Sequence, residues 1–92
     1  MIKLNQYFDG KIKSLGNERS GQAFTIGVIE PGEYTIPTST EEHLSIILGR
    51  CRVKITGKGW IEVKEEDNFI VPAESEISFD VKEPVVYLCL YQ

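Results

Sequence analysis

Clustered positive charge, histidine and long apolar stretches are all scarce in this chain. Ten Lys and Arg residues stand against fourteen Asp and Glu residues, a formal net charge of −4, and the cations are spread along the chain. That distribution leaves no electrostatic footprint for a nucleic acid. No window approaches the roughly 18 consecutive apolar residues of a membrane-crossing helix, and the first twenty residues alternate polar and apolar without a run of signal-peptide length. The expectation is a soluble, cytoplasmic protein with no membrane partner. The two cysteines, Cys51 and Cys89, each lie in an apolar alternation, which suits buried free thiols in a reducing compartment better than a disulfide framework. A sustained helical period is missing too, as are internal repeats, linkers and low-complexity segments.

What the chain does have is a period of two. Phe24 to Ile29 is a mostly apolar run stopped by Pro31-Gly32; Tyr34 and Ile36 alternate with threonines up to Pro37; Leu44, Ile46 and Leu48 fall on one face of a run ending at Gly49. In Arg50 to Thr56, Cys51, Val53 and Ile55 point one way while Arg50, Arg52 and Lys54 point the other, to solvent. Gly57-Lys58-Gly59 supplies a tight turn, so Trp60 to Lys64 pairs back as a hairpin arm, with Trp60 packing on it. Glu65-Glu66-Asp67 is a polar turn, and strands follow over Asn68 to Val71, Ile77 to Val81 and Val85 to Tyr91. Ninety-two residues, 41% of them hydrophobic, support one domain over residues 1–92 with one core. An all-β fold is expected, a sheet closed on itself or paired with a second copy.

Gly32, Glu42 and Gly49 keep the frame of the first signature of the cupin barrel, a double-stranded β-helix or jelly roll in which a glycine-led strand carries His-x-His and a later glutamate. Counting back from Glu42, the histidine positions read Ile36 and Thr38. In the second signature Pro72 is kept, but the glycine is Glu74 and the histidine is Ile77. One carboxylate cannot hold a catalytic transition metal, which needs about three protein ligands. A cupin-type barrel with no metal is the expectation.

The resemblance narrows further. Asn5-x-Tyr7-Phe8-x-Gly10-Lys11-x-Lys13-Ser14-x-Gly16, Gly27-Val28, Gly32-Glu33-Tyr34-Thr35 with Thr38, Glu42 and Gly49, then Trp60, Phe69-x-Val71-Pro72-x-x-Ser75, and Tyr87-Leu88-Cys89-x-Tyr91 together resemble the pyrimidine/purine nucleoside phosphorylase family of single-domain cupins. The sequence departs from that pattern at Glu66, where relatives often carry Gly, and at Ser78, where some carry His. The resemblance implies phosphorolysis of purine and pyrimidine nucleosides to free base and ribose 1-phosphate. It also implies inorganic phosphate as co-substrate, no metal or organic cofactor, and a homodimer.

Such chemistry passes through an oxocarbenium-like transition state and needs donors for phosphate, an acceptor for the ribose hydroxyls and a flat surface for the base. Lys11, Lys13 and Ser14 beside Gly10 are the candidate phosphate cluster, although two lysines flanking Ile12 also suit a protected edge strand. Glu42 and Thr38 are the candidate catalytic pair, because a carboxylate accepts from two hydroxyls and stabilises a developing cation; a solvated loop carboxylate beside Glu41 is the plain alternative. Tyr7, Phe8, Phe69, Tyr87 and Tyr91 are the candidate stacking surfaces for the base, with an N-terminal aromatic plug as the competing role of Tyr7 and Phe8. Tyr87, Cys89 and Tyr91 share one face of the last strand and Val86, Leu88 and Leu90 the other, and either face could be core. His43 is read as a solvated strand-edge residue and Cys89 as a thiol with no base to activate it. Two other classes stay open: a metal-free small-molecule binding module, and a metal-dependent isomerase or dioxygenase.

Overall fold

The computed structural model describes residues 1–92. Ten strands account for the fold: β1 (Lys3–Tyr7), β2 (Ile12–Arg19), β3 (Gln22–Ile29), β4 (Gly32–Thr38), β5 (Glu42–Leu48), β6 (Arg50–Ile55), β7 (Trp60–Lys64), β8 (Asn68–Val71), β9 (Ser75–Val81) and β10 (Val85–Tyr91). No helix interrupts them, so none is long and apolar enough to cross a membrane. The strands form a six-stranded sheet in the order β1-β2-β3-β10-β5-β8 and a four-stranded sheet in the order β4-β9-β6-β7. Every pairing is antiparallel. This is a jelly roll of the cupin type, built as two sheets around a shared core rather than as one continuous closed sheet. The core draws Ile12, Ile29, Leu44, Val85 and Cys89 from the larger sheet and Tyr34, Val53, Val63, Ile77 and Phe79 from the smaller.

Local sequence explains where the chain changes sheets. Pro31 ends β3 and Gly32 opens β4 in the other sheet; Gly49 does the same between β5 and β6. Gly49 has φ +93°, and a Cβ there would stand 2.9 Å from the Pro84 carbonyl oxygen, so both the backbone angle and the space demand glycine. The β6–β7 hairpin forms as expected, pairing Arg50 with Lys64 and Lys54 with Trp60. Its basic face is solvated, and Trp60, 39% exposed, packs on the hairpin as expected, beneath the Arg52 guanidinium at 5.2 Å.

One expectation from the alternation fails. Leu44 and Ile46 are 4% and 2% exposed, whereas Leu48 is 60% exposed. The β5–β10 register shifts between Tyr87, opposite Ile46, and Val86, opposite Leu48, leaving Ile47 without a partner. This bulge turns Leu48 to the other face of the sheet.

Two departures from glycine also acquire a structural meaning. Glu66 and Glu74, which stand where the resembling patterns carry Gly, have φ +75° and +53°. A side chain in that left-handed region costs about 1 kcal/mol or more. Replacing both with Gly relieves this at two positions but loosens the unfolded chain by part of the same amount, so the net rise in stability is expected to be about 1 kcal/mol, a rise in Tm of roughly 4–8 °C. A urea or thermal melt of the double variant tests this, and an unchanged or lower midpoint contradicts it.

Candidate functional site

Strand alternation and register together build successive cross-strand rows of mixed polar and apolar side chains on the inner face of the larger sheet. Asn5, Ser14, Gly27, Tyr87 and Ile46 lie side by side across β1, β2, β3, β10 and β5. Gly16, Thr25, Cys89, Leu44 and Phe69 form the next row, and Ala23, Tyr91, Glu42 and Val71 the one after. Small residues on β3 lie opposite the two tyrosines of β10 because the rings need the space. A Cβ on Gly27 would stand 2.8 Å from the Tyr87 hydroxyl and 2.7 Å from the Lys13 carbonyl oxygen.

Between the sheets this face encloses a cavity of about 550 Å³ lined by 14 residues, 11 of them hydrophobic, a size suited to a small organic ligand. Tyr7, Phe8, Glu42, Tyr87, Cys89 and Tyr91 contribute the larger sheet's chemistry, and Thr35, Ile36, Pro37, Ile77 and Phe79 form the opposing wall. Ile36 and Ile77 are direct cross-strand partners. Two of the positions where metal-binding cupins carry histidine thus form an apolar wall. No three His, Cys, Asp or Glu side chains come together as a metal would need.

Glu42 is the only charged residue in the lining. Burial pushes its carboxyl pKa up, and a hydrogen bond from the Cys89 thiol to its Oε1 at 3.5 Å pulls slightly the other way. Burial, then the neighbouring Glu42 charge, pushes the Cys89 thiol up to about 12, so it stays protonated and is no nucleophile near neutral pH. Tyr87 is pushed up to about 12 by burial, with the Ser14 hydroxyl opposing. Tyr91 is raised by burial as well, and its hydroxyl shares a 3.0 Å hydrogen bond with Thr25. The cavity therefore offers one carboxyl and neutral phenols among apolar walls.

The structure brings together five of the candidate residues, Tyr7, Phe8, Glu42, Tyr87 and Tyr91. Ser14 is buried on the inner face and receives a 3.3 Å hydrogen bond from Asn5 Nδ2. Lys13, between the buried Ile12 and Ser14, is exposed on the opposite face of β2, and Lys11 is exposed in the β1–β2 turn, its amide donating to the Phe8 carbonyl at 3.1 Å. Phe69 packs against the core from β8 without lining the cavity. Thr38 is buried, and its hydroxyl donates to the Pro72 carbonyl at 2.7 Å and accepts from the Ser75 amide at 3.1 Å. It pins the end of β4 to the β8–β9 turn and does not reach the cavity lining. His43 pairs with Glu41 at 2.8 Å away from the cavity. Thr35, which lines the cavity, and Asn5 and Thr25, which bond Ser14 and Tyr91, were not among the candidates; Thr25, a polar residue in the otherwise apolar Phe24–Ile29 run, carried a signal.

A two-sheet cupin with an inter-sheet cavity holding a single half-buried carboxyl is the class these features define. The chain belongs to the pyrimidine/purine nucleoside phosphorylase family, whose model matches residues 2–91. A pyrimidine/purine nucleoside phosphorylase of Yersinia enterocolitica is 44% identical, over 99% of this chain and 98% of the relative. One from Serratia proteamaculans is 40% identical, over 99% and 97%. Among solved structures, a protein of unknown function from Vibrio parahaemolyticus superposes with TM-score 0.96 at 38% identity, covering 100% of this chain and 99% of the other. A cupin domain from Schizosaccharomyces pombe, at 21% identity, has TM-score 0.72 over 98% of this chain and 68% of that one, a likeness of fold alone.

Proposed function

We propose that the protein is a pentosyltransferase of broad specificity, catalysing phosphorolysis of purine and pyrimidine nucleosides to free base and ribose 1-phosphate. The observation that carries this reading is the Glu42 carboxyl, half-buried among phenols in the inter-sheet cavity of a chain from this family. In the reaction a phosphate oxygen bonds to the anomeric carbon as the bond from that carbon to the base nitrogen breaks, and the base leaves with the electron pair and takes a proton. Glu42, as carboxylate, accepts hydrogen bonds from the ribose hydroxyls and stabilises the positive charge growing on the ring. Tyr7, Phe8, Tyr87 and Tyr91 offer ring faces that tolerate any base. Phosphate enters where the β1–β2 hairpin carries Lys11 beside Phe8, with the hydroxyls of Ser14 and Tyr87 further in; Lys13, on the outer face, adds charge rather than contact. Phe69 backs the wall, and Thr38 is a positioning residue for the β4 end. Phosphate is a co-substrate, and no metal or organic cofactor takes part. The two buried free thiols support a reducing, cytoplasmic setting, and the reaction suits nucleoside salvage.

Incubation with uridine, adenosine or inosine tests this reading. Base release that requires phosphate supports it. Release that ignores phosphate makes the protein a hydrolase, and nucleoside binding without release makes it a binding module.

A homodimer belongs to the same proposal. On the outer face of the larger sheet Leu4, Leu15, Ile26 and Leu88 form one row, and Val28, Val86 and Leu48 lie in the next. Leu4, Leu15, Ile26, Val28 and Leu48 are all exposed, and none of the chain's own strands covers them. An antiparallel sheet that faces water carries polar residues on that side; a contiguous apolar face marks an interface. With Lys13 as the one charge in these rows, little opposes pairing of this apolar face with its own copy about a two-fold axis, which favours a second copy as its cover. Ile26→Lys combined with Leu15→Lys is expected to yield a folded monomer by light scattering. A variant that stays dimeric excludes this face.

A further inference from the structure

The β1–β2 hairpin carries an unusual residue at its tip. Phe8 and Asp9 have φ +53° and +57°, and the Gly10 amide donates to the Tyr7 carbonyl at 3.1 Å. This is a turn with both central residues left-handed, the form that normally selects Asn-Gly or Asp-Gly. A bulky aromatic in that conformation is a backbone outlier of the kind that persists only when surrounding contacts hold it. The contact here is Tyr34, whose ring centroid lies 5.0 Å from that of Phe8 at an interplanar angle of 54°. Tyr34 is itself anchored, donating its hydroxyl to the Glu30 carbonyl at 2.8 Å, with the Pro31 carbonyl at 3.1 Å.

The location gives the strain its meaning. β1 is the edge of the larger sheet and β4 the edge of the smaller, and no strand pairing joins them. The Phe8–Tyr34 contact therefore bridges an open seam beside the cavity that Phe8 lines. Phe8 nevertheless remains 45% exposed, while Tyr34 is 6% exposed. A residue serving only as a core plug is buried; this ring stands at the rim.

We propose that Phe8 closes the seam over the bound base and sets the width of base the site accepts, a role that rests on the nucleoside reading above. The left-handed turn aims the ring across the gap, and the buried Tyr34 is the fixed jamb against which it shuts. Loss of the ring opens the cavity on that side without touching Glu42.

Phe8→Gly and Phe8→Asn both suit the left-handed turn and remove the ring, and Phe8→Tyr retains it. For the two ring-less variants the expectation is a retained melting transition, a KM for nucleosides raised about tenfold with kcat changed less, and nucleoside affinity by calorimetry reduced in parallel. Nucleosides with bulky base substituents should gain relative to uridine. Phe8→Tyr should restore KM and selectivity. Ring-less variants that fold, turn over and keep wild-type KM and selectivity overturn the inference and leave the phosphorylase reading standing. A wild-type protein that binds nucleoside without releasing base overturns the phosphorylase reading, and the calorimetric loss in Phe8→Gly then still supports the closure. Absence of nucleoside binding to the wild type overturns both.

Discussion

Glu42→Gln is expected to lower turnover by a hundredfold or more while the protein melts at the same temperature or higher. The rate effect follows from the differential role of a carboxylate: its charge matters little to a neutral ribose and strongly to an oxocarbenium-like ring in a low-dielectric cavity, where one such group supplies roughly 10²–10³ in rate. The stability effect follows from the direction of the pKa shift. Burial raises the Glu42 pKa, so the group contributes full stability below its unfolded pKa and loses it as pH rises through its folded value. Ionisation of the carboxyl carries this desolvation penalty, and the neutral amide removes it. The same shift sets a pH profile: kcat/KM of the wild type should fall on acidification through the raised pKa, and this acid limb should vanish in Glu42→Gln. A Gln variant with wild-type turnover, or with a melting point that collapses together with activity, contradicts the assignment.

Gly27→Ala is expected to cost roughly 2–3 kcal/mol, the scale of overpacking a tight site, and to disable the cavity at the same time. The added methyl meets the Lys13 carbonyl at 2.7 Å and the Tyr87 ring and hydroxyl at 2.8 Å. The carbonyl belongs to the paired strand β2 and cannot retreat without breaking the ladder. Tyr87 can move only by leaving its place over Gly27, which removes a phenol from the cavity lining. Urea denaturation and steady-state kinetics read the two effects separately. A variant with wild-type values in both would show that the β3–β10 contact adapts freely and that Tyr87 is not held by it.

Much of the architecture is legible in the chain itself. The alternation in Arg50–Thr56, the Gly57-Lys58-Gly59 turn and the Pro31-Gly32 break locate strands and corners correctly, because side-chain period and backbone permissiveness are local properties. The bulge opposite Val86 and Tyr87 is not legible, since it depends on which strand pairs with β5 and on the twist of that pair. The candidate site divides in the same way. Glu42, Tyr87 and Tyr91 were readable as chemically useful residue types, while the separation of Lys13 from the cavity follows from the inward orientation of Ile12 and Ser14. The engagement of Thr38 with Pro72 and Ser75 depends on how the end of one strand meets a turn 34 residues later.

By itself, the sequence determined an all-β run of short strands, with Ile36 and Thr38 where the first cupin signature carries histidines. Those properties reside in composition, period and spacing. Only the tertiary structure decided which face of β10 lines the cavity. Both of its faces are apolar enough to be buried, and the choice rests with neighbours far away in the chain: Gly27 and Ala23 leave room for two tyrosine rings on the inside, whereas Ile26 and Val28 meet Leu88 and Val86 on the outside. Burial of the Glu42 carboxyl beside the Cys89 thiol follows from that same choice, because pKa and reactivity depend on what surrounds a group rather than on which group it is.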